Sequence, residues 1–148
     1  MRIRCAIPAD IPAMLKLERD ASTAAHWSTE QYESAFSGAG PSRVLLIIEE
    51  DTIVQGFIAA RALGAEWEIE NIAVAGSVRS RGLGTLLLGE VLNLARGRDA
   101  KAVFLEVRES NRSARRLYEK WAFVESGRRK RYYAEPDEDA IVYHLDFT

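Results

Sequence analysis

The middle of this chain contains an apolar strand-like segment, then a turn with two glycines, then an apolar pattern at helical spacing. This order limits the possible folds more than any other feature of the sequence. The strand-like segment covers residues 69–74, and the turn reads Arg79, Ser80, Arg81, Gly82, Leu83, Gly84 and Thr85. The apolar residues at helical spacing are Leu83, Leu86, Leu87, Val91, Leu92 and Ala95. Because glycines allow a tight turn and the first N–H groups of a helix lack partners, the order predicts a phosphate cradle. The same pattern also suits an ordinary turn before a core helix.

The spacing of the glycines argues against two common nucleotide motifs. The lysine of a P-loop is missing, and the glycines do not follow the G-x-G-x-x-G pattern of dinucleotide-binding folds. A diphosphate is therefore the predicted ligand of this turn.

Composition indicates a single globular domain over residues 1–148, with 47% hydrophobic and 28% charged residues. A net charge of −2 predicts no nucleic-acid partner and no anionic membrane surface. The chain has no apolar run of transmembrane length, and its first ten residues do not resemble a signal peptide. A lone Cys5 and two distant histidines, His26 and His144, predict a cytoplasmic protein without a metal site. Oligomeric state is left open.

Periodicity predicts the element order β-α-α-β-β-β-α-β-α-β-β. The predicted strands cover residues 3–7, 44–48, 54–60, 66–74, 102–107, 123–128 and 140–147. Asp10 is predicted to cap the first helix. The third helix follows the apolar spacing from Leu83 to Ala95, with Gly97 as its stop signal, and the last helix covers residues from about 113 to 121. The second helix begins at Ser28, which forms a capping box with Gln31, while Trp27 can pack on Tyr32.

Several motifs occur in the order found in one enzyme superfamily. They are Asn71-Ile72-Ala73-Val74, Arg79-x-x-Gly82-x-Gly84, Leu105-Glu106-Val107-Arg108, Ser110-Asn111 and Ala114-x-x-Leu117-Tyr118-Glu119. The chain resembles the GNAT acetyltransferases, and within them the RimI-like ribosomal-protein-alanine N-acetyltransferases, from about Ile3 to its end. The resemblance implies an α/β GNAT fold, with a mixed, mostly antiparallel seven-stranded sheet flanked by helices. Two departures stand out: Ala75-Gly76 replaces an acidic residue and proline, and Trp121-Ala122-Phe123 replaces leucine-glycine-phenylalanine, which predicts a differently packed helix end.

Two residues are candidates for the chemistry. Glu106 lies on a strand whose alternate residues suit burial, so its carboxylate needs either a catalytic role or an arginine partner. The resemblance makes it the general base, acting through water. Tyr118 is either a core aromatic or, by resemblance, the general acid for the coenzyme A thiolate, with a phenol pKa near 10 against roughly 8.5 for a thiol.

The resemblance also assigns residues to the cosubstrate, acetyl-CoA. The backbone of Ile72, Ala73 and Val74 would hold the pantetheine arm like an added strand and supply an oxyanion donor. The turn from Arg79 to Thr85, with Ser80, Arg81, Gly82, Leu83 and Gly84 between them, would hold the pyrophosphate. Asn111 is predicted to cap a helix and to contact the coenzyme.

Four residues are predicted on the acceptor side. Trp27 either packs on its helix alone or forms one wall of the acceptor site. Glu70 is a second candidate base, and Tyr132 with Tyr133 resembles the acceptor-peptide loop of relatives, although a basic run such as the preceding one is usually a solvated face. The expected reaction is acetyl transfer to a protein N-terminal α-amine. A small amine or a lysine as acceptor, and a non-catalytic acyl-CoA sensor, are the alternatives.

Overall fold

A computed structural model describes residues 1–21, 27–38, 40–78, 81–134 and 137–147. The strands in these ranges are β1 (Arg2–Cys5), β2 (Arg43–Glu50), β3 (Ile53–Leu63), β4 (Glu66–Val74), β5 (Ala102–Arg108), β6 (Val124–Tyr133) and β7 (Glu138–Asp146). They form one sheet in the order β1-β2-β3-β4-β5-β7-β6. Neighbouring strands are antiparallel except β4 and β5, which are parallel. The predicted mixed, mostly antiparallel seven-stranded sheet is confirmed.

The helices cover both faces of this sheet. They are α1 (Ile11–Asp20), α2 (Thr29–Phe36), α3 (Leu83–Gly97) and α4 (Arg112–Lys120). On one face, here the α3 face, Val103 and Leu105 of β5 belong to the same buried cluster as Leu87 of α3. On the other face, here the α1 face, Phe57 of β3 packs with Tyr32 of α2. Because side chains alternate along a strand, each residue of β5 is committed to one face.

Local signals at the start of α2 are confirmed. The Gln31 N–H donates to Ser28 Oγ at 3.2 Å, and the Ser28 N–H donates to Gln31 Oε1 at 2.7 Å. Trp27 packs on Tyr32 with 5.1 Å between ring centroids. This capping box and its hydrophobic contact orient the beginning of α2.

Two local predictions are wrong. The Asp10 side chain does not cap α1 but accepts a hydrogen bond from the Ile7 N–H at 2.8 Å, because a 3₁₀ turn, Pro8–Asp10, precedes the helix. Residues 132–133, expected in a loop, lie at the end of β6, where Tyr133 pairs with Glu138 of β7.

Within the described ranges, no helix is both long enough and apolar enough to cross a membrane.

Candidate active site

A cleft of about 780 Å³ lies where β4 and β5 separate. The two strands pair only over residues 66–69 of β4 and 102–105 of β5. Beyond that point Ile72, Ala73 and Val74 line the cleft, and in the described chain no strand pairs with the edge that they turn toward β5. Backbone groups of β4 are therefore available to a ligand that enters as an extended segment.

A β-bulge in β4 lies at the point of separation. Asn71 pairs with Ala59 and Ile69 pairs with Ala60, so that Glu70 is an extra residue in β4. A bulge bends its strand and increases the local twist. The bulge therefore accounts for β4 leaving β5 at this point, which keeps the cleft open.

The beginning of α3 forms another wall of the cleft. Gly82 is the N-cap residue in the left-handed conformation, with φ of 80°, and no side chain caps the helix. The lining residues from this turn are Gly82, Leu83, Gly84 and Thr85. The N–H groups of the first helical turn thus meet the cleft without an intrahelical acceptor, at the positive end of the helix dipole.

Arg81 is turned away from this wall. Its guanidinium forms a two-pronged ion pair with Glu50 at the end of β2, with donor–acceptor distances of 2.9 and 3.2 Å. Arg79 and Ser80, also predicted to bind the pyrophosphate, lie outside the described residues. The cradle in the described chain therefore consists of backbone groups rather than arginine side chains.

Glu106 points to the α1 face of β5, as its alternation with the buried Leu105 and Val107 predicts. Its carboxylate is 13% exposed and pairs with the Nε of Arg129 on β6 at 3.1 Å. The arginine partner, one of the two interpretations of Glu106, is present. The carboxylate also lines the cleft, so the catalytic interpretation stays a prediction.

The two tyrosines at the end of β6 lie next to Glu106. The negative charge of Glu106 raises the pKa of the Tyr132 hydroxyl, and burial together with that charge raises the pKa of Tyr133 to about 12. Tyr133 lines the cleft and contacts Tyr132 edge to face, with 5.2 Å between centroids. The structure thus brings the predicted base and the predicted acceptor tyrosines together.

Tyr118 lies on the α3 face and is 4% exposed. Its ring is in contact range of Phe123 and Tyr143, at centroid distances of 5.8 and 6.1 Å, and it also lines the cleft. Burial raises the pKa of its hydroxyl well above the usual value. The phenol therefore stays protonated at neutral pH, but its pKa lies further from that of a thiol than the sequence suggests.

Asn111 caps α4, as predicted. Its Oδ1 accepts a hydrogen bond from the Ala114 N–H at 3.2 Å, and the residue lines the cleft. Its contact with a coenzyme stays a prediction.

Glu70 and Trp27 lie on the α1 side of the cleft. The Glu70 carboxylate accepts from Arg43 Nε at 2.9 Å, and the guanidinium of Arg43 lies 6.0 Å from the centre of the Trp27 ring. Glu70 is thus part of an ion pair across the sheet, and this contact accounts for its charge without a catalytic role.

Sequence reasoning missed a buried polar cluster behind this wall. Glu18 of α1 is 2% exposed and accepts hydrogen bonds from the Tyr32 hydroxyl, from Asn71 Nδ2 at 2.6 Å and from the Trp27 N–H at 3.2 Å. It therefore joins α1, the start of α2 and β4. The available signal was its position on the apolar face of α1, four residues after the buried Met14.

The cleft therefore passes through the sheet, with different side chains at each face. Glu106, Glu70 and Trp27 lie on the α1 side, whereas Tyr118 and the start of α3 lie on the other. The described residues contain no group of three or more His, Cys, Asp or Glu side chains placed to hold a metal ion. The arrangement suits a reaction in which two substrates enter from opposite faces and meet at the gap.

The fold and this cleft define a class of protein. A sequence profile described as the Acetyltransferase (GNAT) family matches residues 11–123, and the chain belongs to that family. It is accordingly an N-acetyltransferase that depends on acetyl-CoA, the cosubstrate of this family.

Individual relatives point to one branch of the family. The chain is 33% identical to the [ribosomal protein bS18]-alanine N-acetyltransferase of Salmonella typhimurium over 94% of this chain and 93% of that protein. It is 40% identical to the Haemophilus influenzae protein of the same name over 66% and 68%. The crystal structure of the ribosomal-protein-S18-alanine N-acetyltransferase from Escherichia coli matches 99% of this chain and 94% of that one, with a TM-score of 0.87 and 28% identity.

Proposed function

We propose that this protein transfers the acetyl group of acetyl-CoA to the α-amine of a protein N-terminus, of the ribosomal-protein-alanine type. The observation that carries the proposal is the cleft between β4 and β5, which has Glu106 on one side and Tyr118 on the other. The names of the Salmonella and Haemophilus relatives support a protein acceptor.

Acetyl-CoA is assigned to the α3 side of the cleft. The pyrophosphate would bind the N–H groups at the start of α3, and Asn111 would lie beside the coenzyme. The amide groups of the pantetheine arm would pair with Ile72, Ala73 and Val74 in place of the missing β5 neighbour. One of those N–H groups would then donate to the thioester oxygen as negative charge develops on it.

The acceptor peptide is assigned to the α1 side. Trp27, Tyr132 and Tyr133 would surround its first residue, and Glu106 would take a proton from the ammonium through a water molecule. The neutral nitrogen attacks the thioester carbon, the carbon–sulfur bond breaks, and the Tyr118 hydroxyl donates a proton to the departing thiolate. The attacking nitrogen releases its second proton to water as the amide forms, and Tyr118 regains a proton from water. Direct transfer of this kind needs no covalent enzyme intermediate.

An α-amine suits a carboxylate base better than a lysine amine does. At pH 7 roughly a tenth of an α-amine with a pKa near 8 is neutral, against well under a thousandth of a lysine amine with a pKa near 10.4. Removing the proton from an N-terminal ammonium therefore costs a carboxylate base less free energy than removing it from a lysine.

The test is acetylation of two matched peptides by the purified protein. One peptide begins with alanine and carries an internal lysine, and the other has the same sequence with a blocked N-terminus. We expect the free peptide to react at its α-amine, and the blocked one to react at least about tenfold more slowly. Mass spectrometry locates the acetyl group. Acetylation mainly on lysine, or turnover with small polyamines alone, would contradict the proposed acceptor, and acetyl-CoA binding without any turnover would favour a sensor.

A further inference from the structure

The carboxylate of Glu106 is already occupied by a cation of the protein itself. Arg129 Nε lies 3.1 Å from Glu106 Oε1. Arg129 is opposite Ala140 of β7, and Glu106 is opposite Val142 of the same strand, so the arginine reaches across β7 to its partner. Between them on β7, Ala140 carries only a methyl side chain and is fully buried.

The two partners differ in their exposure to solvent. The Glu106 side chain is 13% exposed, whereas the Arg129 side chain is 60% exposed. Moving the guanidinium off the carboxylate therefore keeps its positive charge in contact with water. A cationic ligand that enters the cleft can then take the place of the guanidinium beside Glu106.

The end of β6 provides a second contact for the guanidinium. The register of β6 on β7 shifts between Arg129 and Tyr133, and Arg131 within this irregular stretch has a φ of 53°. The guanidinium of Arg129 lies 5.3 Å from the centre of the Tyr132 ring. An arginine that leaves Glu106 can therefore remain on the face of this ring as a cation–π pair.

An acceptor amine arrives as a cation of the same charge. With a pKa near 8, about nine tenths of an α-amine is an ammonium at pH 7. The acetylated product is a neutral amide and cannot pair with a carboxylate. Substrate and product thus differ in the positive charge on nitrogen, and this charge is what can displace Arg129 from Glu106.

We propose that Arg129 is a specificity-determining residue that competes with the acceptor ammonium for Glu106. The ammonium displaces the guanidinium on binding. The guanidinium returns after acetylation has removed the positive charge of the amine and Glu106 has passed the proton it took to water. Ligands without a cationic amine leave the Glu106–Arg129 pair in place. This inference rests on the proposed function, since it takes Glu106 as the group that meets the amine.

The test compares Arg129→Met with Arg128→Met. Both remove one positive charge from β6, but Arg128 pairs with Glu109 and Asp139 instead of Glu106. For a peptide with a free N-terminal alanine, Arg129→Met should lower KM about threefold to fivefold and change kcat less than about twofold. Its KM should also rise more steeply with ionic strength, because the ammonium now meets an unpaired carboxylate. Arg128→Met should resemble the wild type in both respects, and Arg129→Lys should restore the wild-type KM.

A des-amino ligand separates competition from a structural role. In this peptide a propionyl group replaces the N-terminal alanine, so that only the amine is missing, and it is measured as an inhibitor. Arg129→Met should leave its inhibition constant unchanged within about twofold. An equal gain for both peptides, a higher KM for the free peptide, or a tenfold loss of kcat would each overturn the inference. Activity of the wild type on α-amines is measured first, and its absence would overturn the proposed function together with this inference.

Discussion

The hydroxyl of Tyr118 belongs to a side chain that is almost completely buried, and burial raises its pKa. A phenol in this position holds its proton at neutral pH. A thiolate is a weaker base than this phenolate, so the phenol would assist by hydrogen-bonding to the sulfur and passing its proton while the carbon–sulfur bond breaks. Tyr118 would therefore act at the moment of bond cleavage instead of ionising beforehand.

Replacing Tyr118 with phenylalanine tests this role. Because only one hydroxyl is lost from a packed ring, the fold should survive, and the single-turnover rate should fall on the order of 10²-fold or more with nearly unchanged acetyl-CoA affinity. Tyr143→Phe is the matched control, since it removes a hydroxyl that hydrogen-bonds to Glu119 and Arg115. A wild-type rate in Tyr118→Phe would leave Tyr118 as a core aromatic.

The end of α4 is a Schellman motif with an alanine where glycine is usual. The Phe123 N–H donates to the Tyr118 carbonyl and the Ala122 N–H donates to the Glu119 carbonyl, both at 3.0 Å. Ala122 has a φ of 71°, a left-handed conformation that glycine adopts more readily. The aromatic contact between Phe123 and Tyr118 completes the motif, so that the end of the helix holds Tyr118 in place. The ring of Trp121, the first residue of the departure from the usual leucine-glycine-phenylalanine, lies against Gly89 of α3.

Ala122→Gly should therefore stabilise the protein. Relief of the left-handed alanine is worth about 1–2 kcal/mol, and the extra backbone entropy of glycine in the unfolded chain offsets about 0.4–1 kcal/mol. We expect a net gain of about 0.5–1 kcal/mol, measured as a higher urea midpoint with an unchanged slope. Ala114→Gly, the same exchange within α4, should instead lose about 1 kcal/mol. Equal effects of the two substitutions would show that the conformation of Ala122 costs nothing.

The tyrosines of the whole molecule share one electrostatic property. All five hydroxyls have raised pKa values: burial is the largest cause for Tyr32, Tyr118, Tyr133 and Tyr143, and the charge of Glu106 for Tyr132. An unfolded tyrosine ionises near pH 10. Above that pH the folded protein holds protons that the unfolded chain releases.

The free energy of unfolding should therefore fall as the pH rises above about 10, and this contribution should be fully present below it. Each buried tyrosine that stays protonated contributes a slope of up to about 1.4 kcal/mol per pH unit. Urea unfolding from about pH 8 to pH 11 measures the free energy of unfolding, and the ultraviolet absorbance of tyrosinate measures the ionisation of the tyrosines. Ionisation should coincide with the loss of folded structure. Five tyrosines that titrate near pH 10 while the circular dichroism stays native would contradict this prediction.

Signals that involve neighbours in sequence were sufficient for much of the architecture. The bounds of β4 agree with the prediction, and the Ser28–Gln31 capping box and the Asn111 cap are present. These features depend on the spacing of a few residues along one element. Asp10 shows the limit of such signals, because its carboxylate accepts from the Ile7 N–H and from the Arg4 guanidinium instead of capping α1.

The resemblance located the cleft residues, but their partners depend on contacts between distant elements. Alternation along β5 predicted the face that Glu106 occupies, and left open whether its carboxylate is catalytic or paired. The side chain that meets it comes from β6, across an intervening strand. Similarly, the position of Arg81 in the glycine turn was clear from the sequence. The direction of its guanidinium depends on its ion pair with Glu50, at the end of β2.

The sequence by itself thus determined which segments become strands and helices, how α2 and α4 begin, and which face of β5 carries a carboxylate. These features depend on backbone geometry and side-chain spacing, which act over a few residues. Tertiary structure alone decided that β4 leaves β5 at the Glu70 bulge, that Glu18 joins three elements and that Arg129 occupies Glu106. Strand register and ion-pair choice depend on groups that are far apart in sequence, and several carboxylates and arginines of this chain could have paired otherwise. Only the folded arrangement selects among them.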